Sequence, residues 1–312
     1  MLRVERYEPK WRRAWDDLVG RSKNGVFLFY RSYMEYHADR FADHSLLFFD
    51  GDKLAALLPA NRKETTLVSH GGLTFGGFVT DERMKTPAML HLFDALHHHC
   101  RSEGLARVVY KPVPHVYHRI PAEEDLYALF VRGGRLVRRD VSSAIVVRDR
   151  PGLTKGRKWA VKKARASGLE VRPSTDFERF MAIEEANLRA KYGVRPTHTA
   201  AELRLLAERH PDHIKLFGAY RGDALLGGVV VYENRHVAHA QYIATTDEGK
   251  DLAALDCVID GLLSGVYADK VYFDFGISTE DGGTRLNVGL IENKESYGAR
   301  AVAYDWYELD VA

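Results

Sequence analysis

Cysteine is almost missing from this chain of 312 residues: Cys100 and Cys257 are the only two. They form no CxxC pair and no regular spacing, so a disulfide framework is excluded and a reduced, cytoplasmic protein is expected. Long apolar runs are missing too, since no stretch approaches the ~18–20 residues needed to span a bilayer. The opening MLRVERYEPKWRRAW is charged and aromatic without an apolar h-region. Neither secretion nor membrane insertion is therefore expected. Charge of one sign is also lacking: 45 Lys and Arg face 43 Asp and Glu, for a formal net charge of +2. That balance gives no global polyanion-binding signature and confines any basic surface to a local patch. There is no P-loop, dinucleotide fingerprint, GxSxG or HExxH pattern, which leaves nucleotidase, dehydrogenase and metal hydrolase chemistry unsupported. His97-His98-His99 is a cluster in sequence only, because adjacent helical positions point in different directions and cannot share one ion. No metal is expected.

What is present is a repeat. Leu46 to Phe49 runs into the turn Asp50-Gly51-Asp52 and on to Leu54–Leu58, and Leu216 to Tyr220 runs into Arg221-Gly222-Asp223 and on to Leu225–Val231. Both read as hairpins by their turn residues. Each leads to a strand with a similar opening, Val68-Ser69-His70 in one half and Val237-Ala238-His239 in the other. Helical stretches at 86–103 and 250–267 follow, and then the strands Arg107-Val108-Val109-Tyr110 and Lys270-Val271-Tyr272-Phe273. Four matches in one order indicate a duplicated unit. Arg148-Asp149-Arg150-Pro151-Gly152 reads as the linker, which divides the chain into 1–150 and 151–312. After it, residues 155–167 form a basic helix with Lys155, Arg157, Lys158, Lys162, Lys163 and Arg165, either a solvated face or a phosphate-binding edge.

A hairpin, a further strand, a helix and another strand is the order of the core of GCN5-related N-acetyltransferases (GNAT). Two such units in one chain resemble the Fem peptidoglycan aminoacyltransferases and their acyltransferase relatives. The local marks are Lys158 to Ala164 with Gly168-Leu169-Glu170-Val171, then Asp274-Phe275-Gly276-Ile277, and Lys294-Glu295-Ser296-Tyr297-Gly298 near the C-terminus. The resemblance implies an α/β (α+β) protein of two tandem acetyltransferase-like lobes, each a mixed, mostly antiparallel sheet flanked by helices. It further implies a transferase, most simply one moving an acetyl group from acetyl-CoA to an amine. The acceptor would be a small or nucleotide-linked molecule such as an amino sugar in cell-envelope or surface-polysaccharide synthesis. The Fem-like alternative takes an amino acid from aminoacyl-tRNA, and a third reading is a non-catalytic binding protein. Two departures stand out. No sustained heptad repeat matches the coiled-coil insertion common in Fem enzymes. The stretch matching the coenzyme A loop, Asp247-Glu248-Gly249-Lys250-Asp251, has one glycine and three carboxylates.

Amide-forming transfer needs a deprotonated amine, a polarised carbonyl and a protonated leaving group held in register, and positioning alone can contribute about 7–11 kcal/mol. Lys294 is the candidate for stabilising developing negative charge or holding a phosphate. Asp274, at the carboxyl end of a strand, can bind or deprotonate the amine, or simply cap the next turn. Tyr242 and Tyr297 are candidate proton donors to the leaving group, although buried tyrosines often serve only packing. Substrate contacts are expected from His198, His239, Gln241, Ser278 and Asn287. Thr74 and Phe75, inside the glycine-rich run His70 to Gly77, would form a substrate-side wall or a structural bulge. Gly249, Lys250, Lys158 and Lys162 are the candidate contacts to the donor's phosphates.

Overall fold

A computed structural model describes residues 2–311, which form two compact units. Unit 1 comprises residues 1–141 with 279–285 and 303–312, and unit 2 comprises 142–278 with 286–302. The chain thus divides inside a strand, ahead of the Arg148–Gly152 segment.

In unit 1 the elements are β1 (Arg3–Arg6), α1 (Arg12–Arg21), α2 (Arg31–Met34), β2 (Leu46–Asp50), β3 (Lys53–Leu58), β4 (Asn61–Lys63), β5 (Thr66–Val68), β6 (Val79–Thr80), α3 (Thr86–Ser102), β7 (Arg107–Tyr110), α4 (Glu124–Val131) and the first part of β8 (Arg135–Val146). Unit 2 continues with α5 (Lys155–Ala166), β9 (Glu170–Ser174), α6 (Phe177–Tyr192), α7 (Ala200–Arg209), β10 (Ile214–Arg221), β11 (Ala224–Glu233), β12 (Val237–Thr245), α8 (Asp247–Asp251), α9 (Ala254–Gly261) and β13 (Tyr272–Ile277). The short strands β14 (Thr279–Glu280) and β15 (Arg285–Leu286), then α10 (Val288–Glu295) and β16 (Arg300–Asp310), complete the chain.

The duplicated script is visible in both units. Each hairpin turns on two residues, Gly51-Asp52 and Gly222-Asp223, with Gly51 at φ 58° and Gly222 at φ 60°, conformations that glycine adopts without penalty. In unit 2 the strand after the hairpin, β12, pairs in parallel with β13, the strand after the helix; in unit 1 the matching parallel pair is β5 with β7, and β4 stands between the hairpin and β5. In unit 2 the strands run in the order β9-β10-β11-β12-β13-β8, antiparallel except for the β12–β13 pair. One face of that sheet carries α9 and α5 over a core of Val229, Val231, Ala238, Ala240, Phe273 and Phe275. The α6 stripe Phe177, Phe180, Met181 covers the other face, with the Phe180 ring against Gly228. Unit 1 buries its own core, in which α3 contributes Met89, Leu92, Phe93, Leu96 and Cys100 at helical spacing. Among the described residues no helix is long and apolar enough to cross a membrane.

Two local expectations change. Residues 70–77 form a loop, because His70 takes φ 57° and Gly72 packs so closely that a Cβ there would lie 2.3 Å from His37 Nε2. The helix expected over 250–267 is three pieces: α8 capped by Thr246, then α9 after Ala253 at φ 56°, then a π-helical turn over Leu262–Val266.

Unit 1 should be acid-sensitive. Burial holds His44 and His118 at about 4 and His70 at about 3, and lowers His99 as well. Unfolded imidazoles titrate near 6.5, so between about pH 6.5 and 4 the unfolded chain binds protons that the native one refuses, and stability falls as pH falls. Asp125, raised by burial to about 7, and Asp16, also raised by burial, oppose this, while Asp43 and Asp81, lowered beside arginines, add to it. Calorimetry at pH 6.5, 5.5 and 4.5 should show the unit 1 transition moving down; a transition that stays put would mean these histidines accept protons in the native state.

Candidate active site

Alternation along β13 sends Phe273 and Phe275 into the core and turns Asp274 to the opposite face. Alternation along β12 does the same for His239, between Ala238 and Ala240. The parallel register pairs Ala238 with Phe273 and His239 with Asp274, and those two polar side chains therefore stand side by side. Beyond that pair the two strands part, while β12 runs on to Thr245. On its other edge β12 carries a bulge: Ala240 pairs with Val231 and Tyr242 with Val230, leaving Gln241 as the extra residue. The bulge brings Tyr242 onto the His239 face while Ile243 packs into the core behind it.

Asp274 is fully buried. Its Oδ1 accepts from the Ser142 hydroxyl at 2.6 Å and the Gly276 N–H at 3.0 Å, and its Oδ2 meets His239 Nδ1 at 2.9 Å. A carboxylate only accepts, so the His239 proton resides on Nδ1 and Nε2 carries the basic lone pair. Gly276, at φ 74°, makes the turn after the carboxylate, and a Cβ there would lie 3.3 Å from His239 Cε1. Lys294, buried on α10, donates from Nζ to Gly276 O and Ile277 O, both at 2.8 Å. Burial pulls its pKa down to about 8, with Asp274 pulling the other way. Two of its three donors thus fasten the turn that follows Asp274. Asn287 caps α10 by accepting from Leu290 N–H, and its own N–H donates to Ser278 O. The Ser278 hydroxyl is buried with no hydrogen-bond partner among the described residues.

Tyr242 OH lies 2.6 Å from His198 Nδ1 and accepts from the His198 N–H at 3.2 Å, pinning the segment before α7 to β12. Thr199 and Glu202 close a capping box at that helix start. Tyr297 stands on the other face of β13: its ring stacks on Phe275 in the core, and its hydroxyl accepts from Arg157 Nη1 at 2.9 Å. The same Arg157 pairs with Asp256 at 2.7 Å and lies 3.9 Å over the Tyr297 ring, which ties α5 to the unit 2 core.

At α8, Gly249 is a packing requirement, since a Cβ would fall 2.1 Å from Leu226 O. Its N–H is taken by Thr246 Oγ1, and Lys250 is paired with Asp247 at 2.7 Å. Lys158 and Lys162 are exposed on α5. Thr74 and Phe75 belong to unit 1, where Phe75 packs on Tyr117 and Tyr304 with ring centroids at 4.7 and 5.9 Å. Sequence reasoning passed over Glu184, a buried carboxyl pushed up to about 7 by burial. The available signal was an acid completing the spacing Phe177, Phe180, Met181, Glu184 on the buried stripe of α6.

Residues 153–282 match the family model of the acetyltransferase (GNAT) domain. No curated protein matches the chain in sequence. Among solved structures, FemX superposes with a TM-score of 0.70 at 10% identity, covering 98% of this chain and 96% of that one. L-PGS from Bacillus licheniformis gives 0.61 at 11% identity, covering 98% and 92%. A tandem GNAT protein from the clavulanic acid biosynthesis pathway gives 0.53 at 12%, covering 100% and 99%. At such identities these likenesses show a shared fold. Residues 153–282, which include His239 and Asp274, are thus similar in sequence to a GNAT domain, and the chain along its length shares the fold of FemX and of the tandem GNAT protein.

Proposed function

We propose that unit 2 transfers an aminoacyl or acyl group to an amine, with His239 as general base and Asp274 as the group that orients it. The observation that carries this reading is the buried His239–Asp274 pair at the point where β12 and β13 part. As the amine nitrogen bonds to the donor's carbonyl carbon, His239 Nε2 takes the amine proton. The tetrahedral intermediate then expels the donor's oxygen or sulfur, which recovers that proton. Asp274 stabilises the imidazolium formed in between. Lys294 keeps the Gly276–Ile277 turn in place and adds a positive charge beside the acid. Tyr242 acts through His198, holding the segment ahead of α7 over the β12 face.

The preferred donor is an aminoacyl-tRNA. The start of α8, which coenzyme A pyrophosphate would have to approach, carries Asp247 and Glu248, and the Gly249 N–H is already bonded to Thr246. On α5, by contrast, Arg157 and Arg165 are tied to Asp256 and Asp260, while Lys155, Lys158 and Lys162 make no ion pair among the described residues. Trp159, 65% exposed, stands among those lysines. A cationic stripe with an exposed indole, over which Lys163 Nζ lies at 5.4 Å, suits phosphates and a base stacked on the remaining ring face. Acetyl transfer from acetyl-CoA is the second reading, supported in the kind of transfer by the domain match, with an amino sugar as the acceptor proposed for it.

Three phosphate contacts predict that tRNA affinity falls by about two decades per decade of salt. Filter binding should show that slope, and K158Q/K162Q should flatten it. Calorimetric binding of acetyl-CoA without tRNA binding would return the assignment to acetyl transfer.

For the chemistry, H239A and D274N should each slow transfer by about 10²–10⁴-fold, and the double variant should be little worse than either. Nitrogen-15 spectra of His239 should show one tautomer in the native protein and a mixture in D274N. Unchanged rates in both variants would remove the pair from the mechanism.

A further inference from the structure

The buried stripe of α6 ends on a charge. Phe177, Phe180 and Met181 are followed at helical spacing by Glu184, and the next positions of the stripe, Asn187 and Leu188, are already half-buried. Glu184 is only 8% exposed, at a position where an aliphatic side chain is the ordinary occupant. Its place on the sheet is fixed from both sides. One turn earlier the Phe180 ring lies against Gly228 of β11, 3.3 Å from where a Cβ would stand, and three residues later Asn187 Nδ2 donates to Thr245 O of β12 at 3.0 Å. Positions i, i+4 and i+7 share one helix face, so Glu184 looks onto β11 and β12 between those contacts. Gly228 pairs with Ala244, and β12 is by then beyond its last pairing with β13 at His239. Glu184 therefore stands over the half of β12 that has left β13, on the face that carries Tyr242 and His239.

No hydrogen bond or ion pair reaches the Glu184 carboxyl among the described residues, and burial alone raises its pKa to about 7. The titratable side chains on that sheet face are Tyr232 of β11, opposite His239, and His239 and Tyr242 of β12, with His198 arriving from the segment ahead of α7. From α7 itself the packed side chains are Leu203 and Leu206. None of these groups holds the acid in its charged form. A carboxyl taken out of water with no donor to replace its hydration lowers stability, and such a group calls for an occupant that supplies the donor. Ionised, its two oxygens only accept hydrogen bonds, which an ammonium group answers with charge and N–H donors together. The transfer proposed above takes an amine, and alkylamines titrate at about 10, so the acceptor reaches the protein as an ammonium ion.

We propose that Glu184 is the anionic subsite for the acceptor, its carboxylate pairing with a primary ammonium group that the acceptor carries. This subsite rests on the transfer reading above, whose acceptor is an amine, and adds the charge that the acceptor brings. The probe is n-butylammonium chloride, with sodium chloride at equal ionic strength as its control. In the full chain labelled with carbon-13 at the glutamate carboxyls, the resonance lost in E184Q belongs to Glu184. It should titrate near pH 7 in sodium chloride and about 1–3 pH units lower in n-butylammonium, as a carboxylate does beside a cation. Tetramethylammonium, which has the charge without N–H donors, should move it much less. The melting temperature of the native protein should rise in n-butylammonium, and that of E184Q should not. E184L, which removes the buried acid, should melt higher than the native protein with no amine present. A Glu184 titration that ignores n-butylammonium, or a melting temperature that rises equally in E184Q, overturns the proposal. So does an E184Q that melts well below the native protein, since the carboxyl would then be tied to the fold. A displaced Glu184 titration alongside unchanged transfer in H239A and D274N leaves the subsite standing and removes only the pair, and the reverse outcome removes only the subsite.

Discussion

A carboxylate removed from water is tolerated only where donors replace the lost hydration, and Asp274 sets that condition for unit 2. A hydroxyl from β8, a backbone N–H from the following turn and an imidazole from β12 meet its two oxygens. Removing one donor from such a buried acceptor typically costs about 1–3 kcal/mol, and more for a charged one, because the lost hydration is no longer replaced. Three separate elements are therefore held to one another through two oxygen atoms. The parallel register that puts His239 opposite Asp274 and the tight turn at Gly276 both satisfy this requirement. Lys294 belongs to the same arrangement, since a buried ammonium is best placed near a buried carboxylate and is otherwise answered by two carbonyl oxygens.

Much of this was legible in the residues themselves. Asp274 follows an apolar strand and precedes a glycine, which marks a polar group delivered at a strand end, and the two hairpins announce themselves by their turns. His239 was harder to weigh, because its importance comes from a parallel pairing between strands separated by a helix, and no local pattern encodes which residue will stand opposite. The face on which Tyr297 would lie was equally hidden. Its stacking on Phe275 follows from the path of the chain after α10, and Arg157 reaches it from a helix some 140 residues away in sequence. Gly249 has the look of a phosphate-loop glycine, yet the close approach of Leu226 O is sufficient reason for it. Glu184 was passed over because a single acid in an amphipathic stripe resembles noise until burial is known.

The duplication sharpens the comparison between the two units. By the repeat, His70 and Lys111 take the places of His239 and Asp274, but the β5–β7 pairing stops at Val68 and Val109 and the chain leaves the strand at His70, whereas His239 and Asp274 are paired in register. Lys111 is buried, brought by burial to about 7, and donates to His70 O and Leu73 O at 2.7 and 2.6 Å. Each unit therefore fastens the turn beside its histidine with a buried lysine reaching two carbonyls, but the lysines come from different places. In unit 2 the lysine arrives from α10 and leaves the strand end free for an acid. In unit 1 it occupies the strand end itself.

The surroundings of the two histidines differ in a second way. Burial first, and then the neighbouring His37 and Lys111, push His70 down to about 3, with the rings of His37 and Phe41 at 5.1 and 5.6 Å from its own. An imidazole so reluctant to take a proton makes a poor general base near neutrality, since the useful range lies close to the working pH. His239 has instead a carboxylate at Nδ1, which accepts the ring N–H and holds it in one tautomer. One duplicated scaffold thus carries two histidines at matching positions, one packed away from water in unit 1 and one set beside an acid in unit 2, and the base proposed above is the second.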